Sequence, residues 1–465
     1  MRPAGYGEDQ PRLDDDRLPI VLIILDGLGD RHLRELGNRT PSEAAHTPHL
    51  DRAAALGMNG WHVPFGWGRA PTSELAHWAM FGFSEVAFPG RAVLEAIGAG
   101  IDVPTGVGTL HAALRTSTVD GEQLWITGRA ERGIDDADAK LLFDQLGSVL
   151  ARHEMSLATL GGRGEALLCV HSTTFAGVTD SDPFFETFHP WLRPLPTTDS
   201  ASRDPAGSQT GERLTSMLLE ARAVLLASPT NVRRAQAGRP PLDVLTTKWA
   251  GGRGTTPSFL QHHGIPGAAV TSTRLYRGLA TILGMDFVHV DTVRDTGADM
   301  RTRLERADDV LAGGAQFVHV HTKATDEAGH TKDPYAKRDV LQAIDEGLAG
   351  LEELATRAVV AVTGDHATPS SHGVMHTADP SPLVVLGPTV RQDPVDAFCE
   401  DAAAYGWLGR VDAASLLPLL AGFANRPALM GHRVWPGRTA FLPDAPASMP
   451  LSGPLPPHTM DAPTT

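Results

Sequence analysis

The chain is short of cysteine, of long apolar runs and of positive charge, and each shortage removes a class of protein. Two cysteines in 465 residues, Cys169 and Cys399, cannot build a disulfide framework and fit a reducing compartment. No apolar run approaches the roughly 20 residues needed to span a bilayer. The first residues, MRPAGYGEDQPRLDDDR, lack the basic-then-apolar layout of a signal peptide. The expected location is cytoplasmic, with no membrane partner. Lys and Arg number 40 against 55 Asp and Glu, a formal net charge of -15. Nucleic-acid binding through the phosphate backbone needs a basic face, so no such partner is expected. An acidic protein that handles anions must gather its positive charge locally, through metal ions or a few placed arginines.

What the chain does have is apolar material, 42% of its residues, enough to bury a large core over two ordinary domains. Residues 1–17 are polar and Asp/Pro-rich and residues 446–465 are Pro/Ser/Thr-rich, so both ends are expected to be disordered tails. Between them, short β-branched runs stop abruptly at polar residues: VLIIL before Asp26, DVLTT before Lys248, AAVTS, FVHVH before Thr322, VVAVT before Gly364, and LVVLG. Runs apolar at every position predict strands buried on both faces, hence a parallel sheet covered by helices. Helical patterns alternate with them, as in TPHLDRAAALG, PYAKRDVLQAIDEGLAGLEELATRA and DAASLLPLLAGFA, and that alternation predicts a doubly wound α/β fold. Ligands of such sheets bind beyond the carboxyl ends of the strands, which nominates Asp26, Lys248, Asp326 and Asp365 for one site. From about residue 101 to 242 the strands weaken and Arg, Pro and Gly accumulate. This stretch is expected to be a second domain inserted into a first that comprises 18–100 and 243–445.

The densest chemical signal is KATDEAGH, where Asp326 and His330 stand four apart, with Gly329 between them, directly after a buried run. A carboxylate and an imidazole at that spacing can face one cation. Downstream, TGDHATPSSHGVMH places Asp365 and His366 after another strand end, with His376 ten residues beyond His366. Mixed Asp and His donors favour Zn, Mn or Co over Ca, with Mg a weaker candidate. In GRAPTSELAHWAMFGF, Ser73 follows a Pro-containing loop and opens an apolar helical pattern. Taken alone, that position suits a helix N-cap. As a nucleophile its hydroxyl would need activation, which a divalent metal can supply.

The stretch LDGLGDRHLRELGNRTPSEAAHTPHLDRAAALG resembles the amino-terminal signature of the archaeal-type cofactor-independent phosphoglycerate mutases of the alkaline phosphatase superfamily. So do PTSELAH, GRAVLEAIGAGI, GRAER, NVRRAQAGRPP, HHGIPGAAVTSTRLYRGLATILGMD, FVHVHTKATDEAGH and VTGDHATP, in the family's order and over nearly the whole chain between the tails. The resemblance implies an alkaline-phosphatase-like sheet with an inserted α/β domain that closes over a phosphorylated hydroxy acid. It implies that Ser73 is transiently phosphorylated during exchange between 2- and 3-phosphoglycerate. It also implies two divalent ions (Mn, Zn, Co or Mg), one held by Asp326, His330 and His376, the other by Asp26, Asp365, His366 and the Ser73 oxygen. In the insert, Arg115, Arg129 and Arg132 match family arginines offered to the substrate, and Lys248 stands where the family has a phosphate-binding arginine. Asn231 and Arg234 also match and are expected to fix a loop.

The chain departs from the family around the substrate. Lys248, Trp249, Ala250 and Gly251 replace Arg-Gly-Ala-Gly, and Arg294, Asp295, Thr296 and Gly297 replace Gly-Ala-Thr-Gly. Thr331, Lys332 and Asp333 replace Asp-Gly-Asp, Phe184 stands in place of His, and Glu74 in place of Asp. A phosphomonoesterase or phosphonate-handling hydrolase on the same scaffold is the alternative that these departures keep open.

Overall fold

The computed structural model describes residues 16–171, 177–182, 188–197 and 205–427. Apart from residues 16 and 17, the two tails lie outside the described residues, as does Phe184. The chain divides into two compact units, Met1–Phe88 with Thr256–Thr465, and Pro89–Thr255. In chain order the strands are β1 Ile20–Leu25, β2 Met58–His62, β3 Gly108–Asp120, β4 Gln123–Arg129, β5 Met155–Thr159, β6 Glu165–Val170, β7 His189–Pro190, β8 Val244–Gly252, β9 Gly267–Thr271, β10 Asp286–His289, β11 Phe317–Thr322, β12 Val359–Thr363, β13 Ser381–Leu386 and β14 Gly409–Val411. No helix of the described residues is long and apolar enough to cross a membrane.

The first unit holds a sheet ordered β10-β9-β11-β1-β12-β13-β2-β14. Its centre is the all-apolar run IVLIIL of β1, buried at every position and paired in parallel with β11 and β12. Period-two alternation divides those side chains between two layers. Val21, Ile23 and Leu25 join Val318, Val320, Val360 and Val362 in one core, covered by Leu50 and Ala53 of helix Pro48–Leu56, Met300 and Leu304 of Thr296–Ala312, and Leu341 and Ile344 of Pro334–Gly347. On the other face Phe317 stacks on Phe259 at 4.8 Å and meets Phe81 edge-on at 5.5 Å, so helices cover both sides. The unit is the doubly wound α/β sheet that the alternating runs predict.

One strand departs from the parallel pattern. β13 runs antiparallel to both β12 and β2, although all six of its residues are buried. The described segment between β12 and β13 contains no helix, and a parallel return needs a long crossover, so the chain comes back alongside in the opposite sense. The connecting loop is narrowed by an isolated bridge between Ala367 and Thr377. It is this loop that carries Asp365, His366 and His376.

A buried cation fixes the neighbouring turn. Lys337 Nζ donates to the carbonyls of Gly27 (2.9 Å), Gly29 (3.0 Å) and Thr368 (2.9 Å), and to Asp30 Oδ2 at 3.1 Å. Neither side chain of the Lys337–Asp30 pair touches solvent. Removing one partner leaves the other charge buried, so Lys337→Met is expected to lower unfolding free energy by about 3–5 kcal/mol in denaturant titrations. A loss under 1 kcal/mol would show that the turn holds itself.

The second unit is built on a sheet ordered β5-β6-β3-β4-β7, with β8 also paired to β3. All of its pairings are antiparallel. Here the sequence expectation is corrected twice. DVLTT is no strand of the first sheet: its apolar residues run into β8, whose partner is β3, and Lys248 sits within that strand rather than beyond a strand end of the first unit. The boundaries expected at 101 and 242 move outward to 89 and 255 for the same reason, and Gly252 N donating to Pro89 O at 2.9 Å ties the two ends of the unit together. Asn231 and Arg234 fix a loop, as expected. Asn231 Nδ2 donates to Leu225 O and Leu242 O, and Arg234 pairs with Asp135 at 2.6 Å and Asp138 at 3.0 Å.

Candidate metal centre and active site

Three strand ends and one helix start in the first unit bring the candidate residues together. Asp26 follows β1, Asp365 and His366 follow β12, and Asp326 lies in the helix Ala324–His330 after β11. Asp326 and His330 are four apart on that helix and so share a face. Gly329 is required because a Cβ there would stand 2.4 Å from Thr368 O, too close for any side chain. Ser73 is the first residue of helix Ser73–Met80, and the N-cap is Thr72, whose side chain makes no capping bond. The N-cap reading of Ser73 is thereby replaced: its hydroxyl is turned to the centre instead.

Two clusters result. In one, Asp326 Oδ1 lies 3.2 Å from His330 Nε2 and 3.5 Å from His376 Nε2, and the two imidazole nitrogens are 3.3 Å apart. In the other, His366 Nε2 lies 3.3 Å from Asp26 Oδ1 and 3.5 Å from Asp365 Oδ2, while Ser73 Oγ is 3.0 Å from His366 Nε2 and 3.5 Å from Asp26 Oδ1. The clusters adjoin, because the His366 and His376 rings stack at 3.9 Å.

These residues fit divalent ions. Ligand atoms of a tetrahedral ion with bonds of about 2.0–2.1 Å are about 3.3–3.5 Å apart, the spacing of both clusters. Asp365 Oδ2 is buried without a hydrogen-bond partner, an arrangement that is costly unless a cation faces it. Burial and the neighbouring Asp26 charge push the Asp365 carboxyl above its ordinary range. Burial acts on Asp26 in the same sense, but Lys323, His321 and His366 overcome it and hold Asp26 well below the usual carboxylate range. Asp326 is likewise held low against burial and the Asp26 charge, by His330, His376 and Lys323.

Sequence reading passed over three members of this centre. Lys323 Nζ donates to Asp326 Oδ2 at 2.6 Å and to Asp26 Oδ2 at 3.3 Å, bridging the clusters with a fixed charge. His321 Nε2 lies 3.1 Å from Asp26 Oδ2. His77, one turn after Ser73, places Nδ1 2.7 Å from Ser73 O and 3.6 Å from Asp365 Oδ2. Burial lowers both histidines to about 4, so they are neutral. The signals were present, a lysine inside KATDEAGH and a histidine four residues from Ser73, but a basic residue beside acids reads as a solvated surface pair.

Two departures from the family pattern find local explanations. Lys332 Nζ donates to Pro369 O (2.9 Å) and Val374 O (2.8 Å), clasping the loop that carries His366 and His376. Asp295 caps helix Thr296–Ala312 by accepting from Ala298 N.

In the second unit, the structure groups Arg115, Arg129 and Lys248. Arg115 is opposite Arg129 across β3 and β4, and its Nε donates to Asp182 Oδ2 at 2.8 Å. Burial lowers Lys248 to about 8, with Asp182 opposing and Arg115 and Arg129 assisting. Trp249 adopts a left-handed φ of 60°, and its ring lies 4.6 Å from Lys248 Nζ and 4.0 Å from the Arg91 guanidinium. Arg132 is on the exposed turn after β4.

A family model described as the Metalloenzyme superfamily matches residues 18–421. The chain is 31% identical over 419 residues to the 2,3-bisphosphoglycerate-independent phosphoglycerate mutase 2 of Methanocaldococcus jannaschii, covering 89% of this chain and 95% of that one. It is 33% identical over 416 residues to the 2,3-bisphosphoglycerate-independent phosphoglycerate mutase of Methanopyrus kandleri, with coverages of 88% and 96%. The solved structure of a cofactor-independent phosphoglycerate mutase from Thermoplasma acidophilum matches with a TM-score of 0.58 at 30% identity, over 88% of this chain and 99% of that one. A sheet whose strand ends converge on paired Asp/His clusters, and a likeness that runs the length of these relatives, lead to one placement: the chain belongs to the Metalloenzyme superfamily and, within it, to the 2,3-bisphosphoglycerate-independent phosphoglycerate mutases.

Proposed function

We propose that this protein is a cytoplasmic, metal-dependent phosphomutase that interconverts 2- and 3-phosphoglycerate, or a close analogue, through phosphorylated Ser73. The observation that carries the reading is the Ser73 hydroxyl, 3.0 Å from His366 and 3.5 Å from Asp26 at the edge of two adjoining Asp/His clusters. Asp326, His330 and His376 would hold one divalent ion, and Asp26, Asp365, His366 and Ser73 Oγ the other. Such ions supply Lewis acidity to a phosphoryl group and lower the pKa of a nearby hydroxyl.

The chain's own groups do the rest. Ser73 Oγ forms the new P–O bond as the substrate's ester P–O bond breaks. Ser73 loses its hydroxyl proton and the freed substrate oxygen gains one, so this half-reaction is proton-neutral. The return transfer to the other hydroxyl restores Ser73. Helix Ser73–Met80 presents its positive end to the incoming phosphate, and Lys323 offsets negative charge between the clusters. Neutral His321 and His77 brace Asp26 and the Ser73 backbone without adding charge.

Arg115, Arg129 and Lys248 are proposed to bind the substrate's anionic groups, with Arg132 adding positive potential beyond the end of β4. Lys248→Ala is expected to lower kcat/KM by roughly ten- to a hundredfold, the worth of a charge-assisted contact of about 1.5–3 kcal/mol. Because Lys248 loses its proton near pH 8, kcat/KM should fall as pH rises through that value. Lys248→Arg, which stays charged, should lose that alkaline limb without raising activity. Unchanged kinetics in Lys248→Ala would place the residue outside the site.

The reading as a whole is tested by incubating purified protein with Mn and 3-phosphoglycerate while following 2-phosphoglycerate and free phosphate together. Appearance of 2-phosphoglycerate without stoichiometric phosphate is expected. Phosphate release alone would identify a hydrolase and overturn the proposal.

A further inference from the structure

Two of the described clusters of carboxylates and imidazoles form the centre above. A third lies elsewhere in the first unit, where the segment after β1 meets two short helices. His32 comes from that segment, Glu43 from helix Pro41–Ala44 and Asp401 from helix Glu400–Ala403. His32 Nε2 lies 3.5 Å from Glu43 Oε1 and 3.3 Å from Asp401 Oδ1. The three donor atoms all fall within 4.8 Å of one another. The two distances from the imidazole are again those of a tetrahedral edge, about 3.3–3.5 Å for bonds of about 2.0–2.1 Å.

Glu43 supplies the second observation. Its side chain is only 10% exposed, and its two oxygens have different surroundings. Oε2 accepts from Thr40 N at 2.9 Å as half of the capping box that opens helix Pro41–Ala44. That bond fixes the carboxylate and leaves Oε1 buried, without a hydrogen-bond partner, and aimed at His32. A buried carboxylate oxygen with no donor calls for a cation.

We propose that His32, Glu43 and Asp401 form a third divalent-cation site of the zinc class, separate from catalysis, with its remaining position open to water. One imidazole and two carboxylates suit Zn, Co or Mn better than the all-oxygen cages of Ca. The rival occupant is a proton on His32. Burial opposes protonation there, but the carboxylates of Glu43 and Asp401 outweigh it and raise His32 above its ordinary value. The metal must displace that proton, so occupancy increases with pH.

Filling the site would tie together segments far apart in sequence. Glu400, next to Asp401, already accepts from the hydroxyls of Thr40 and Ser42 and from Asp30 N at 3.2 Å. An ion at Asp401 reinforces the same junction between the helix Glu400–Ala403 and the turn after β1. Its role is structural, and it stabilises the native state in proportion to its occupancy.

The test uses the full-length protein and the variants His32→Asn and Asp401→Asn, each equilibrated with Zn at pH 8. Bound zinc is measured by elemental analysis, melting temperature with and without Zn, and turnover of 3-phosphoglycerate in parallel. Each variant is expected to bind one equivalent less than the parent, to lose part of the zinc-dependent rise in Tm, and to keep its turnover. Equal zinc content in parent and both variants would mean that the cluster is a proton-bridged ion pair and would overturn the site. A loss in His32→Asn alone would remove Asp401 from the ligand set and overturn the three-ligand assignment. Loss of turnover together with zinc would show that the site is not independent of catalysis. Because the zinc difference is read without reference to turnover, failure of the mutase reading leaves this result interpretable.

Discussion

Ser73→Ala is expected to lower kcat for phosphoglycerate exchange by more than about ten-thousand-fold in both directions, because Ser73 Oγ stands against His366 Nε2 and Asp26 Oδ1, while the Thr368 hydroxyl at the centre is buried and donates to Asp326 Oδ1 at 2.7 Å. The same change should leave folding almost intact. Thr72 holds the N-cap position and Ser73 makes no capping bond, so the loss is at most about 2 kcal/mol, the upper end for any cap substitution. Steady-state rates, a denaturant titration and mass spectrometry of the Ser73 peptide after brief exposure to substrate check the three parts. A folded Ser73→Ala protein that retains substantial turnover would sink the assignment, whatever the metal content.

Metal withdrawal should have an effect as large. Exhaustive chelation is expected to abolish turnover, and Mn, Zn or Co to restore it. Each site filled at a hundred times its dissociation constant would add about 2.7 kcal/mol of stability. The pH dependence has a definite sign. Burial opposes protonation of His366, but Asp365 and Asp26 raise it to about 9, so at neutral pH the metal-free protein carries a proton where an ion would bind. Apparent metal affinity should therefore rise by about tenfold per pH unit as pH increases toward 9. In the metal-free protein the His366 cation is a stabilising contact fully present below its ordinary value of 6.5 and lost as pH passes 9. Tm of the metal-free protein should fall over that window while the gain from added Mn grows. Full activity in protein shown by elemental analysis to hold no metal would refute the two-ion centre.

Asp26, Asp326 and Asp365 were legible in the sequence because a strand buried on both faces cannot continue through a carboxylate. A charge at its end therefore marks the mouth of the sheet. His376 was harder. It stands ten residues past His366 in a loop without periodicity, and only the antiparallel return of β13 brings the two rings to 3.9 Å. Lys248 was misplaced because an apolar run announces a strand but not its partner. β8 pairs with a strand more than a hundred residues earlier, and nothing local distinguishes that pairing from membership of the first sheet. Lys323 was read past for a related reason. Its contact with Asp326 is local, whereas its contact with Asp26 spans 297 positions and exists only once β11 lies beside β1.

The insertion of Pro89–Thr255 within the first unit also sets a timetable for synthesis. A ribosome delivers β1, Asp26 and Ser73 early, then pauses their assembly while the whole second unit is made. That unit has its own core, from Leu110 and Leu114 to Leu214 and Leu245, and its ends are pinned at Pro89 and Gly252, so it can condense before the remaining residues emerge. The sheet around β1 cannot. Its two neighbours, β11 and β12, emerge only after residue 316, and the last residue of the proposed catalytic centre later still, at 376. A nascent chain released before β11 thus carries Ser73 with Asp26 as the one aspartate of the proposed centre, and lacks the residues that would activate them. On the proposed reading, phosphoryl transfer therefore waits for β13, whose antiparallel return sets His376 beside His366, and begins only after Leu386 has been added.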